Sequence, residues 1–356
     1  MRKVALIFIF VVIGVVGIPV FVATVTWVRM TERYKGYEGV EQFVEIPQGA
    51  APAEIRRRLV DAGVVRDGYL FRAALWWTDE AQSLKAGEYR FDRALSAVDV
   101  IHKLARGDVY AQRITFPEGL TIPEMAKIYE SRGFGAAREF IAAAHDVSLI
   151  ADLDPQAEDL EGYLFPETYA LPRGGPASRM VALMVDRFRS SAGPHISQGA
   201  AAQGLTMRQV VTLASLIEKE TAKAEERPLV AAVYRNRMKI GMPMQADPTV
   251  VYALQKAGRY DGNIRREDLT FDSPYNTYKY PGLPPGPIAS PGKASLEAAV
   301  APADVPFIYF VSRNDGSHVF AQTLAQHNAN VREYQVLYFR RQKAEDDRGK
   351  GVGGRR

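Results

Sequence analysis

The chain has 356 residues, 47% of them hydrophobic and 24% charged, a formal net charge of +4 and a pI near 9.0. That is enough for one large core or two smaller ones plus an anchor. The charge is mild, with several basic residues at the two chain ends, so nucleic-acid binding has little support. There is no cysteine, which excludes thiolate metal sites, disulfides and cysteine nucleophiles.

The first predicted element is a membrane span. Ala5 to Trp27 carry no charge, and at about 1.5 Å per residue they cross a hydrocarbon layer of roughly 30 Å. Arg2 and Lys3 precede the stretch, Trp27 ends it and Arg29 follows, as at an interfacial edge. The run is too long for a cleaved signal peptide, and no A-x-A site follows it. Basic residues lie on both sides, so charge does not orient it. A short tail (residues 1–4) before a large folded part favours a tail on the cytoplasmic side.

A polar linker is expected over residues 28–40, with Thr31 to Gly39 as its spacer. A small unit over 41–107 then reads as strand (Phe43 to Ile46), helix (Pro52 to Ala62), helix (Asp67 to Trp77), strand (Gly87 to Phe91) and helix (Ser96 to Arg106), with Ser96 and Asp99 at N-cap and N3. A weak repeat links Ile46-Pro47-Gln48-Gly49 to Phe116-Pro117-Glu118-Gly119. In each copy a helix begins after the turn, and Gly63 or Gly133 ends it. Thr121 and Glu124 form a capping box in the second copy.

From 108 to 342 the chain reads as a larger mixed α+β domain. Helices are predicted near Ser178–Ser191, Met207–Ala222 and Pro228–Met238. A hairpin, Phe307–Val311 with His318–Phe320, turns at Asn314-Asp315-Gly316, and Thr323 with Gln326 opens a final helix. Residues 343–356, charged and glycine-rich, are expected to be disordered.

The helix opened by Thr206 and Gln209 places Val210, Leu213, Ala214 and Ile217 on a buried face, and Glu218 at the border of that face. A carboxyl against apolar neighbours is poorly solvated when charged, which suits a general acid near neutral pH. Glu220 lies about 200° further round and cannot pair with it. Periodicity alone does not single out Glu218, because Glu-Lys-Glu is common on helix surfaces.

Other segments are irregular, aromatic and polar: Leu160 to Tyr169, Met244 to Thr249, Ser273 to Tyr278 and Pro281 to Ile288. Aromatic faces and amides of this kind line saccharide grooves. The five histidines show no metal-ligand spacing. Ser290-Pro291-Gly292-Lys293 matches S-x-x-K formally, but Pro-Gly breaks the helix that this chemistry requires.

Leu213-Ala214-Ser215-Leu216-Ile217-Glu218-Lys219-Glu220-Thr221 resembles the signature of the endolytic murein transglycosylases, the MltG (YceG-like) family. Glu161 to Tyr169, Gln245 to Thr249, Tyr275 to Tyr278, Gly282 to Ile288 and Gly316 to Phe320 are similar to further blocks of that family, in order, so the resemblance covers nearly the whole chain after the span. It implies an α+β protein with an N-terminal transmembrane helix, a small LysM-like α/β subdomain and a larger mixed α+β catalytic domain. It implies non-hydrolytic cleavage of the MurNAc-β-1,4-GlcNAc bond within nascent peptidoglycan strands, with Glu218 as acid and then base, 1,6-anhydro ends as product, and no metal or cofactor. Candidate substrate residues are Gln245, Asp247, Asn276 and Tyr278, with Glu161, Tyr163 and Glu167 from the first block. The implied setting is a single-pass inner-membrane protein with its catalytic domain outside the cytoplasm, acting on glycan strands beside peptidoglycan synthases. Two alternatives stay open: a wall-binding scaffold, and a muramidase-type hydrolase using Asp247 as a second carboxylate.

Overall fold

The computed structural model describes residues 13–172 and 175–342. They form two compact units, one reaching Arg113 and taking in Ala170 and Leu171, the other made of Ile114–Tyr169 and the chain beyond 174. Residues 1–4, the first part of the predicted span (5–12) and the tail 343–356 lie outside the described residues.

The first unit opens with helix α1 (Ile18–Thr31), which continues a π turn over Ile13–Gly17. Gly14–Thr31 is long and apolar enough to cross a membrane, and the protein covers almost none of it. The helix runs past Trp27 because Met30 belongs to the unit's core. The predicted spacer is not free either. Tyr34 and Leu95 exchange backbone hydrogen bonds, Gly36 N–H donates to the Gly63 carbonyl at 2.8 Å, and the Tyr37 hydroxyl donates to the Phe91 carbonyl at 2.9 Å.

Strands β1 (Gln42–Ile46) and β2 (Gly87–Phe91) pair antiparallel with Val44 opposite Tyr89. Their period-2 alternation sends Val44, Ile46, Tyr89 and Phe91 to one face. Helices α2 (Pro52–Asp61), α3 (Gly68–Thr78) and α4 (Ala97–Arg106) cover that face with Ile55, Leu59, Phe71, Ala74, Val100, Ile101 and Leu104. The starts follow the sequence signals: Asp67 caps the Tyr69 and Leu70 amides, and Ser96 with Asp99 closes a full capping box.

Strands β3 (Gln112–Thr115) and β4 (Thr168–Leu171) form a two-stranded ribbon at which the chain passes between units. In the second unit come α5 (Ile122–Ser131), α6 (Ala137–Ala143), α7 (Ala177–Ala202), α8 (Met207–Glu220), α9 (Arg227–Lys239), α10 (Asp247–Lys256) and α11 (Lys293–Val300). The hairpin β5 (Tyr309–Ser312) and β6 (His318–Ala321) and helix α12 (Leu324–Val331) follow. The capping boxes at Thr121, Thr206 and Thr323 are all formed. Helix α7 is longer than expected: it bends at Gly193-Pro194, where the backbone leaves helical geometry, and resumes to Ala202.

Helix α8 differs most from its sequence pattern. Val210 to Ile217 are all buried, polar Thr212 and Ser215 included, because α7, α9, α10 and α11 pack around it. Its two internal hydroxyls are satisfied locally, Thr212 donating to the Arg208 carbonyl at 2.7 Å and Ser215 to the Thr212 carbonyl at 2.7 Å. Helices α10 and α11 were not expected, since Pro248 and Gly292 read as loop residues. Both are start signals: Pro248 sits in the first turn of α10 and Gly292 is the N-cap of α11.

Gly162 shows how tightly the first family-like block is held. Its φ is +82°, and a Cβ there would lie 2.5 Å from Pro287 Cβ and 2.8 Å from Val211 Cγ1. Gly162→Ala therefore combines backbone strain with a clash, and the expected loss is about 2–4 kcal/mol. Chemical denaturation of the two proteins checks this; equal midpoints would mean that the backbone at Gly162 is not held against α8.

Candidate active site

The buried run of α8 ends at Ile217, and Glu218 is the next residue. Its carboxylate is not set in apolar surroundings, contrary to expectation. Only 7% of the side chain is exposed, and polar donors meet it from two other helices. Oε2 accepts the Gly292 N–H at 2.9 Å and the Ser295 hydroxyl at 2.7 Å. Oε1 accepts Arg227 Nη2 at 3.3 Å. Gly292 and Ser295 are the N-cap and third residue of α11, so the carboxylate sits at that helix's N-terminus, where a negative charge is favoured. Arg227 is itself held, its Nε donating to Ser295 Oγ at 3.1 Å.

Arg227 is an anomaly in its own helix. It is the first residue of α9, is buried, and puts a cation at the positive end of the helix dipole. Carboxylates compensate for this: Glu218, and also Glu118, whose Oε2 lies 3.7 Å from the same Nη2. Burial pushes the Glu118 carboxyl above the ordinary carboxylate range, the Glu218 charge pushes the same way, and Arg227 opposes both. The sequence reading missed Glu118, Arg227, Gly292 and Ser295. Arg227 alone left a signal, as a cation at a predicted helix start.

The neighbouring segments are tied to this frame. Lys219 Nζ donates to the Gly119 carbonyl at 3.0 Å, and Gly119 and Leu120 share backbone hydrogen bonds with Ser290. Glu226, the N-cap of α9, accepts the His318 amide at 2.8 Å, meets His318 Nδ1 at 2.7 Å and accepts the Thr221 hydroxyl at 3.0 Å. Burial alone would raise the Glu226 carboxyl, but these bonds hold it below its ordinary value. The Gly316 to Phe320 block thus fastens β6 to the residue before Arg227. Ser290 and Lys293 do not share a helical turn, since α11 begins at Lys293.

The predicted substrate residues fall into three places. Gln245, Asp247 and Tyr278 come together where the start of α10 meets the loop that carries Tyr278, the two zipped by Thr249 and Thr277. Ala246 N–H donates to Thr277 Oγ1 at 3.1 Å, the two threonine hydroxyls are 2.9 Å apart, and the Tyr278 hydroxyl donates to Asp247 at 2.5 Å. Gln245 and Asp247 are exposed and Tyr278 is half-buried. Gln245 has a left-handed φ of +50° and donates its amide to the Thr277 carbonyl. Asn276 is fully buried, and its side chain braces the loop: Nδ2 donates to the Leu269 and Phe271 carbonyls at 3.0 and 2.8 Å, and Oδ1 accepts the Tyr278 amide.

Glu161, Tyr163 and Glu167 separate from that group. Tyr163 is core, its hydroxyl donating to Asp154 at 2.9 Å, and Asp154 also binds Arg208 at 2.8 Å. Glu167 pairs with Arg187 at the surface. Glu161 is buried at the wall of a 580 Å³ cavity lined also by Thr121, Lys127, His145, Tyr252 and Lys256. It accepts the Ile122 amide at 3.3 Å and the Tyr252 hydroxyl at 3.4 Å. Glu220 keeps a different partner from Glu218, the Tyr234 hydroxyl at 2.8 Å, and burial pushes it up to about 7.

The YceG-like family model matches residues 44–333. A Bacillus subtilis protein named endolytic murein transglycosylase is 32% identical over 309 residues, covering 82% of this chain and 84% of its own. A Streptococcus pneumoniae protein of the same name is 30% identical over 323 residues, and the match covers 82% of this chain but 58% of that longer protein. The crystal structure of a putative yceG-like protein from Listeria monocytogenes superposes with a TM-score of 0.56 at 29% identity, covering 81% of this chain and 98% of that one.

Glu161 gives a stability prediction. Burial first, and the nearby Asp159 charge second, push its carboxyl up to about 8 in the folded chain. The raised value means stability that is complete below the unfolded carboxyl value and lost as pH climbs through the folded one. Wild type should therefore lose stability relative to Glu161→Gln between about pH 5 and 8, by at most about 1.4 kcal/mol per pH unit. Thermal unfolding of both proteins across that range measures it; parallel curves would show that Glu161 ionises freely.

Proposed function

The chain belongs to the YceG-like family, and we propose that it is a membrane-anchored endolytic murein transglycosylase that cuts the MurNAc-β-1,4-GlcNAc bond within glycan strands, with Glu218 as the proton-transfer group. The observation that carries this reading is the Glu218 carboxylate, ordered by the Gly292 amide, the Ser295 hydroxyl and Arg227, in a chain whose relatives bear that enzyme's name.

One carboxyl performs both halves of the reaction. Protonated Glu218 gives its proton to the glycosidic oxygen, and the MurNAc C1–O bond breaks with GlcNAc leaving through its own O4. The sugar passes through an oxocarbenium-like state. The MurNAc C6 oxygen then bonds to C1 while its proton returns to Glu218, so no water is consumed and a 1,6-anhydro end forms. The donors around Glu218 stabilise the carboxylate between the two transfers, and because they are fixed by helix termini they need not reorganise.

Gln245, Asp247 and Tyr278, joined where the start of α10 meets the Tyr278 loop, are our candidates for holding the sugars. Asn276 supports this role by bracing the loop, Tyr163 by packing beneath the first block, and Glu161 as a neutral acid facing its cavity. Glu167, paired with Arg187 at the surface away from that group, is our candidate for a contact with sugars further along the strand. We assign α1 as the anchor in the inner membrane, with the rest of the first unit and the second unit outside the cytoplasm. The unit of β1, β2 and three helices is read as the LysM-like glycan-binding part, with peptidoglycan synthases as neighbours.

The test is digestion of purified peptidoglycan by the full chain in detergent, with products weighed. Wild type should release ends lacking one water, and Glu218→Gln should lower the rate by at least a hundredfold, the range of general acid–base catalysis. Ends that have gained water would mean hydrolysis, with Asp247 as the second carboxylate. A Glu218→Gln protein that keeps the full wild-type effect on strand length in cells would overturn the catalytic reading and leave the scaffold.

A further inference from the structure

The chain's three tryptophans, Trp27, Trp76 and Trp77, all belong to the first unit. The Trp27 and Trp77 rings meet edge-on with centroids 4.5 Å apart, and Tyr69 Oη lies 3.4 Å from Thr26 Oγ1. On α3, Leu70, Phe71 and Ala74 face the core. Tyr69, Arg72 and Trp76 form the opposite stripe, and Trp77, seven positions after Leu70, lies at the border of the core face; all four are exposed, Trp76 by 82%. Tyr69 and Trp77 are eight positions apart, about 12 Å along a helix, yet they touch adjacent residues of α1. Helix α3 therefore crosses α1 at the level of Thr26 and Trp27 instead of running along it. That is also the level at which the apolar run gives way to Arg29.

We propose that α3 lies in the headgroup layer of the bilayer that α1 crosses, with the Tyr69, Arg72 and Trp76 stripe against lipid and Trp77 at its edge beside Trp27. This rests on the reading of α1 as the anchor. The occupant is a lipid surface because the patch is continuous with the uncovered apolar surface of α1. Tryptophan and tyrosine, apolar in body and polar at one edge, concentrate at membrane interfaces, and an arginine between them reaches for phosphate. Two attachments then fix the height and tilt of the first unit, where a single helix would leave both free.

The fluorescence of Trp76 tests this, using full-length Trp27→Phe/Trp77→Phe protein in lipid nanodiscs. Trp76 should emit at short wavelength, be quenched by lipids brominated near the headgroup and be shielded from iodide. Trp76→Phe in the otherwise native chain should remove the most strongly lipid-quenched component. Emission like that of free tryptophan, with full iodide quenching, would place α3 in water and overturn the inference while the anchor stands. Failure of the chain to co-elute with the discs would remove the anchor reading, and this inference with it.

A separate observation concerns Glu118. It and Glu218 divide the same Arg227 Nη2, at 3.7 and 3.3 Å. They also meet at Gly292, whose N–H binds Glu218, while a Cβ built on it would lie 1.8 Å from Glu118 Oε1. Lys219, the other cation on this side of α8, is turned to the Gly119 carbonyl. Two carboxyls thus face one guanidinium. The geometry points to Glu118 as a positioning residue for the reaction proposed above: by taking a share of Arg227, it fixes where the guanidinium stands against the Glu218 carboxyl.

Removing the Glu118 charge should let Arg227 close onto Glu218 alone and misplace the reacting carboxyl. In Glu118→Gln kcat should fall by about tenfold with KM little changed. Gly292→Ala is the second variant: its backbone suits alanine, keeps the N–H to Glu218, and puts a methyl group where the Glu118 carboxyl sits. The same fall in kcat is expected. Wild-type kcat in both variants, or a loss that lies in KM, overturns the inference. If Glu218→Gln is inactive in the same assay, the catalytic reading survives that failure; if it is active, both fall.

Discussion

A carboxylate nearly shut off from water has to be compensated where it stands, and much of the second unit is arranged around doing this for Glu218. Its last buried neighbours belong to α8, yet its partners are brought by the N-termini of α9 and α11 and by the loop that carries Glu118. Each contributes what helix starts have to spare: an unpaired amide, a favourable dipole, or a side chain in the first turn. The cost appears in Arg227, a buried cation at the wrong end of its own helix. It is tolerated because two carboxylates and the Ser295 hydroxyl surround it. Removing Arg227 or Glu218 would leave the other's charge buried with less to compensate it, which is why the pair and its neighbours are expected to act as a unit.

Other acids in the unit follow the same rule with different outcomes. Glu226 has a histidine, a backbone amide and a hydroxyl, and stays ionised. Glu220 has one phenol and is pushed up to about 7; Glu161 has one weak amide bond and a distant phenol and is pushed up to about 8. Asp152 is a contrast at the surface, where Arg189 holds it down to about 2. The number and charge of the partners decide the charge state, and burial sets how much each partner counts.

Much of this architecture was legible along the chain. The capping signals at Ser96, Thr121, Thr206 and Thr323 are local, since each satisfies backbone amides within its own first turn, and all four are formed. The β-α-α-β-α order of the first unit follows from periodicity switching between 2 and 3.6. Less was legible where one residue type serves two purposes. Pro248 and Gly292 punctuate loops as often as they open helices, so α10 and α11 were missed. Glu218 was placed on the right element but given the wrong surroundings: periodicity describes one helix and is silent about Gly292, 74 positions away.

The sequence by itself determined the apolar helix, the element order, the helix starts and, through its ordered blocks, the family. These depend on interactions spanning a few residues or on patterns that survive without contact. The tertiary structure alone decided that α8 is buried all round, that Asn276 and Tyr163 brace their loops while Asp247 meets Tyr278, and that Glu118, Arg227 and Ser295 converge on Glu218. The reason is physical: the charge state and exposure of a side chain are set by groups brought near by folding, and their distance along the chain carries no trace of their distance in space.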